Sequence, residues 1–234
     1  MKTREFSRLL PMMLILILAC DKKDSTTTGP GTESSVLVPL VAGNQWTYTD
    51  STFSSGSVSV DSSMLVITGS SSIQYQGQAV EVFHWNWLNN RTLVPQDWKW
   101  LCRNESDGLY MYGGKSIKGT YQLGRSLSQK YPASVGDTWQ NISFLYSTSD
   151  SMFRVGDTLT IQCIATSEQV VTPAGVFTAQ VATYHRSYTV GTTLMTSDIY
   201  LYYVPNVGYI GLTEKQGGQV TYRKLLRAYH VVRA

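Results

Sequence analysis

The sequence predicts an all-β fold, a curved antiparallel meander that forms an open or half barrel, and three observations lead there. Beyond residue 35 no stretch holds a 3.6-residue apolar period, whereas alternation with period two recurs in a background rich in Ser, Thr, Tyr and Val. Turn-forming pairs punctuate the chain at short intervals. The 234 residues, 42% apolar and 15% charged, are too apolar for a disordered chain and long enough to bury one sizeable core without a disulfide lattice.

The first element is a leader. Lys2, Arg4 and Arg8 precede an apolar run over residues 9–19, LLPMMLILILA. Eleven apolar residues are too few to span a hydrocarbon core about 30 Å thick, but they suit the apolar region of a secretory signal peptide. Ile17-Leu18-Ala19-Cys20 then resembles the bacterial lipobox, with a small residue before the cut and a thiol after it. The resemblance implies a lipoprotein signal peptide over residues 1–19 and a diacylglycerol thioether on Cys20, with a further acyl chain such as palmitate on its amine. Two or three buried chains anchor firmly, each CH₂ being worth about 0.8 kcal/mol. The membrane-lipid partner expected here therefore acts through acylated Cys20. The compartment implied is the bacterial cell envelope, with the choice of membrane and face open.

Residues 20–35 form the second element. From Asp21 to Ser35 the chain carries Pro30 as its one apolar side chain, a composition that cannot order itself and reads as a disordered tether. A coil of this length reaches roughly 20 Å.

The third element is one all-β domain over residues 36–234. Its turn signals include Gly69-Ser70, Gln76-Gly77, Asn89-Asn90, Asp107-Gly108, Gly113-Gly114, Pro173-Ala174-Gly175, Pro205-Asn206 and Gly217-Gly218. Their spacing suits roughly twelve to fifteen strands. In the clearest strand Leu159, Ile161 and Cys163 alternate with Thr158, Thr160 and Gln162; elsewhere Val80, Val82 and His84 oppose Phe83 and Trp85. A motif recurs: Pro39-Leu-Val-Ala-Gly43-Asn44-Gln-Trp46 returns as Pro132-Ala-Ser-Val-Gly136-Asp137-Thr-Trp139. Proline stops the preceding segment, glycine supplies positive φ, Asn or Asp closes the turn and tryptophan opens a strand. The pairs Val80 to His84 with Val181 to His185, and Asp107-Gly108 with Val207-Gly208, follow in the same order. Two similar half-units, 36–128 and 129–234, sharing one core are the expectation.

The opening Pro39-Leu40-x-x-Gly43-Asn44-x-Trp46-x-Tyr48 resembles the start of uncharacterised bacterial envelope lipoproteins, in which it follows soon after the lipidated cysteine. Pro173-Ala-Gly175-Val-Phe177 and Val207-Gly208-Tyr209-Ile210 are similar to further elements of that group. The resemblance implies a curved antiparallel sheet like the half-barrels of lipoprotein carriers, and no activity.

Chemistry is sparse. The three histidines, His84, His185 and His230, form no metal-ligand spacing, so no metal and no cofactor is expected. No nucleophile elbow, P-loop or dinucleotide fingerprint occurs, so no catalytic residue is assigned. Asp50, Asp107, Asp137 and Asp157 read as turn carboxylates that cap backbone. The net charge of +3 lies largely in the first ten residues and gives no reason to seek nucleic acid. Cys102 and Cys163 are permitted to bridge in an oxidising compartment, and equally suit small buried hydrophobes. Trp85, Trp87, Trp98 and Trp100 fall at spacing two on adjacent runs, which places four indoles on one face of a hairpin. That face is either core or a platform for a sugar ring or acyl chain. The expectation is a non-enzymatic envelope lipoprotein that binds an apolar or glycan ligand, or an envelope partner protein. The alternatives are an envelope-polymer hydrolase with an acid pair that sequence does not reveal, and a structural component of an envelope assembly.

Overall fold

The computed structural model describes residues 36–88, 99–115, 121–147, 152–190 and 192–232. The leader, the tether with Cys20, and Trp98 lie outside the described residues. Ser35–Ala234 forms one compact unit. Its strands are β1 (Gln45–Ser54), β2 (Ser57–Tyr75), β3 (Gln78–Leu88), β4 (Lys99–Glu105), β5 (Gly108–Lys115) and β6 (Tyr121–Lys130), followed by β7 (Thr138–Ser147), β8 (Met152–Thr172), β9 (Gly175–Val190), β10 (Thr193–Val204), β11 (Gly208–Gln216) and β12 (Gln219–His230). The described residues contain no helix.

All twelve strands join one antiparallel sheet in the order β6-β5-β4-β3-β2-β1-β12-β11-β10-β9-β8-β7. Chain neighbours pair throughout, and the first strand pairs the last, Gln45 opposite His230 and Thr52 opposite Tyr222. The meander thus wraps into a nearly closed barrel with one seam, between β6 and β7. The sequence left a half barrel and an open barrel both standing. The β1/β12 ladder decides for near closure, because it joins what would otherwise be two separate curved sheets.

Alternation explains why these segments become strands. In β1, Trp46, Tyr48 and Asp50 are buried while Gln45, Thr52 and Ser54 are exposed. The main core gathers Trp46, Tyr48, Leu65, Ile67, Trp85, Cys102, Leu109, Tyr203, Tyr209 and Leu226 on the inner face. Strands β2–β6 also carry a smaller cluster on their other face, Val80, Val82, Leu101, Tyr110 and Tyr112. Phe83 and Trp85 therefore pack on one side of β3 while Val80 and Val82 pack on the other.

Two sequence-predicted turns are not turns. Gly69-Ser70 lies inside β2 at a register shift between Ile67 and Ser70, and Gly113-Gly114 lies inside β5 beside another. Glycine within a strand marks a bulge that bends the wall as well as it marks a hairpin, and curvature was the requirement here. Asn89-Asn90 lies outside the described residues. Asp50 and Asp157 are likewise strand residues, in β1 and β8, whereas Asp107 and Asp137 do sit in turns.

The recurring motif makes the same bonds twice. Gly43 (φ 91°) and Gly136 (φ 93°) donate their N–H to Ile67 O and Cys163 O, each at 2.8 Å. Asn44 and Asp137 donate N–H to Val41 O and Ser134 O, and their own carbonyls accept from Ile67 N and Cys163 N. The motifs open β1 and β7, the first strand of each six. The boundary drawn at residue 128 falls inside β6, whose last residue is Lys130.

One end of the barrel is filled by the segment that enters it. Leu37, Val38 and Leu40 are buried at 1%, 0% and 7% exposure. Val36 O accepts from Asn206 N and Val38 O from Asn104 Nδ2. Asn44 then locks the plug: its Nδ2 donates to Pro39 O and Val232 O, and its Oδ1 accepts Val232 N at 2.7 Å.

Candidate functional site

Along β1, inward positions two residues apart climb away from the plug in steps of roughly 7 Å. Trp46 comes first, its indole N–H donating to Val207 O at 2.7 Å. Tyr48 comes next, with its hydroxyl on Tyr209 O at 2.9 Å. The Tyr48 ring lies 5.4 Å from Trp87 and 5.6 Å from Tyr209, and Tyr209 lies 5.3 Å from Tyr203. These rings make an aromatic floor. Burial pushes the phenol pKa values of Tyr48, Tyr203 and Tyr209 above the usual tyrosine range.

Asp50 occupies the next step, directly opposite Lys224 on β12. The Lys224 ammonium sits 3.3 Å from Asp50 Oδ1 and 3.0 Å from Ser63 Oγ, and 4.0 Å and 5.5 Å from the ring centres of Trp87 and Tyr48. Tyr222 donates its hydroxyl to Asp50 Oδ1. Burial pulls the Lys224 pKa down and Asp50 opposes that pull. An ammonium 5% exposed is tolerated only with such partners, since removing either member of a buried pair leaves an uncompensated charge. A second, more exposed pair follows on the same face, Arg186 with Glu214 at 3.9 Å.

The wall near the seam has the opposite character. Trp139, Ile161, Cys163 and Ala182 form a buried cluster, with Leu127 and Tyr184 packed against it. Charged groups thus collect on β1, β9, β11 and β12, the apolar cluster spans β7–β9 with Leu127 of β6 against it, and the aromatic floor joins them.

The tryptophan hairpin forms: Trp85 and Trp100 are directly opposite. Trp85 is buried in the main core, whereas Trp87 and Trp100 are partly exposed and pack against it. Trp98 lies outside the described residues. No bridge joins Cys102 and Cys163. Each is buried and free, Cys102 in the main core with its thiol toward Phe83 O and Cys163 in the seam cluster with its thiol toward Ala165 O. Burial raises both thiol pKa values. The two matched histidines have unlike settings, His84 bonded to Ser71 and His185 to Asp198. Burial, with Lys99 and Lys115 nearby, lowers the His84 pKa. Among the described residues no group of three His, Cys, Asp or Glu side chains is placed to hold a metal.

Sequence reasoning missed Asp50 and Lys224. The signal was present: Trp46-x-Tyr48-x-Asp50 and Tyr222-x-Lys224-x-Leu226 are period-two runs that put the charged residue on the buried face.

No family model matches this chain, and no curated protein is similar to it in sequence. Two solved structures are similar in shape. One is a Bacteroides fragilis protein described as exported and as having a YmcC-like fold, at TM-score 0.50 and 15% identity over 84% of this chain and 99% of that one. The other is a protein of Parabacteroides distasonis described as a lipoprotein, at TM-score 0.43 and 15% identity over 85% of this chain and 100% of that one. The first likeness shows the fold: this chain has the YmcC-like architecture.

Proposed function

We propose that this chain is an exported bacterial envelope lipoprotein, moored through acylated Cys20, whose barrel binds an amphiphile: an apolar chain bearing a polar or glycan head. The observation that carries the reading is the division of the inner surface into a charged wall around Asp50, Lys224, Arg186 and Glu214, an aromatic floor, and an apolar wall at the seam. In a barrel that only has to fold, burying a lysine carries a desolvation cost. Well-packed apolar residues in place of a buried ion pair are often equally or more stabilising. Trp87 stands where the two characters meet, against Tyr48 on one side and the Lys224 ammonium on the other. The leader and lipobox support export and anchoring. The fold shared with a protein described as exported agrees with them.

The mooring is tested by replacing Cys20 with Ser, which should abolish acyl incorporation in metabolic labelling and leave the precursor uncleaved. Acyl label on that variant would remove the anchor. Binding is tested with 11-(dansylamino)undecanoic acid, a fluorescent carboxylate on an eleven-carbon chain. Saturable dansyl emission excited through tryptophan is expected, and Trp87→Phe should reduce that energy transfer. A parent protein that shows no saturable signal refutes the binding reading.

A further inference from the structure

We infer that the β6/β7 seam is the lateral entrance by which an extended apolar chain reaches the barrel interior; this rests on the binding reading above. Around the rest of the barrel each strand is laddered to its neighbour, the first and last strands included. At the seam, among the described residues, the bonds between the two strands run through side chains. Trp139 Nε1 donates to Ser128 O at 3.4 Å, Asn141 Nδ2 to Leu127 O at 3.1 Å, and Ile142 N to Ser126 Oγ at 2.6 Å. These contacts keep an antiparallel register, so β6 and β7 are aligned as a hairpin but held one side chain apart.

The cause is local. Beside β6 the β5/β6 ladder shifts register twice, between Leu109 and Tyr110 and between Met111 and Gly113, and such irregularities turn an edge away from its next partner. Ser126 and Asn141 then substitute short polar side chains for missing main-chain bonds. Each such bond contributes about 1 kcal/mol net, and water replaces all three when the strands part. The connection at the plugged end is secured separately. Lys130 pairs with Asp137 at 2.9 Å, and Gln180 Nε2 donates to Lys130 O. The seam can therefore spread away from the plug while its base stays fixed. What lies directly behind it is the buried cluster of Trp139, Ile161, Cys163 and Ala182. An alkyl chain passing between the strands meets apolar surface at once, whereas the Asp50–Lys224 pair on β1 and β12 stands farthest away in the sheet order.

Ser126 and Asn141 both reach across the seam, and a cysteine pair at these two positions is the first attempt to lock it. The reduced Ser126→Cys/Asn141→Cys protein should take up 11-(dansylamino)undecanoic acid at least as fast as the parent in stopped flow. Oxidised, it should associate at least tenfold more slowly, with recovery on adding reductant. Equal rates in the two redox states, with parental binding intact, overturn the entrance alone. Absence of binding by the parent overturns the binding reading and the entrance with it. Should the bridge fail to form, Ser126→Ala/Asn141→Ala removes two of the three ties and should associate at least threefold faster than the parent. An unchanged or slower rate counts against the seam.

Discussion

Asp50 and Lys224 illustrate how much one position can depend on its surroundings. Neither side chain would survive burial alone, and each is held by a partner on a strand that lies about 170 residues away in the chain. Lys224→Met and Asp50→Ala should each cost about 3–5 kcal/mol, since the first strands a buried carboxylate with Tyr222 as its remaining partner and the second strands an ammonium under Trp87. Asp50→Leu/Lys224→Met removes both charges together and should cost less than the two single changes summed. Urea unfolding of the three variants checks this; strictly additive losses would mean the two side chains are not a buried pair. The two thiols give a second test at this scale. In a chain with Ser in place of Cys20, Cys102 and Cys163 should stay unreactive toward Ellman's reagent while folded, because both are buried with raised pKa values. Both should titrate after denaturation without reductant. Fewer than two reactive thiols in the unfolded chain would show that they are bridged.

At the scale of elements, the repeated turn separates a motif from its uses. Backbone bonding at Gly43-Asn44 and Gly136-Asp137 is the same, but the side chains diverge. Asn44 is fully buried and ties the plug to the segment that follows β12, whereas Asp137 accepts Ser134 N and pairs with partly exposed Lys130. Asn44→Ala should therefore cost about 2–4 kcal/mol, since three bonds are lost and buried partners are orphaned. Asp137→Ala should cost under about 1.5 kcal/mol, as expected of a cap with a surface ion pair. Equal costs would mean that the plug is not locked by Asn44. Close strand approach is a further constraint on elements: a Cβ at Gly211 (φ 149°) would lie 2.2 Å from Lys224 O on β12, so β11 and β12 can meet there only over glycine.

The whole molecule should show its buried phenols in its response to alkali. Tyr48, Tyr203 and Tyr209 have folded-state pKa values raised above 10.0. Their contribution to stability is complete below pH 10 and is lost as pH rises beyond it, when the unfolded chain ionises and the folded one does not. Lys224 acts in the other sense. Its folded pKa lies below 10.5, so stability rises with pH between that lowered value and 10.5. Three phenols outweigh one amine. The melting temperature should fall steeply above about pH 10, and tyrosinate absorbance at 295 nm should keep a fraction that appears only with the loss of far-ultraviolet strand signal. Complete tyrosine titration in a still-folded protein would contradict the aromatic floor.

The chain alone determined the strand class, because period-two burial and turn chemistry are local properties written within ten residues. It also determined the recurring turn, whose glycine and Asn or Asp act on their own neighbours, and the inward alternation of Trp85, Trp87 and Trp100. Whether glycine pairs meant turns or bulges was not local: Gly69 and Gly113 became bends in a wall whose curvature is set by closure. The meeting of Asp50 with Lys224, the fastening of Asn44 to Val232, and the separate burial of Cys102 and Cys163 were decided only when β1 laddered with β12. That pairing joins opposite ends of the chain, and no local periodicity encodes it.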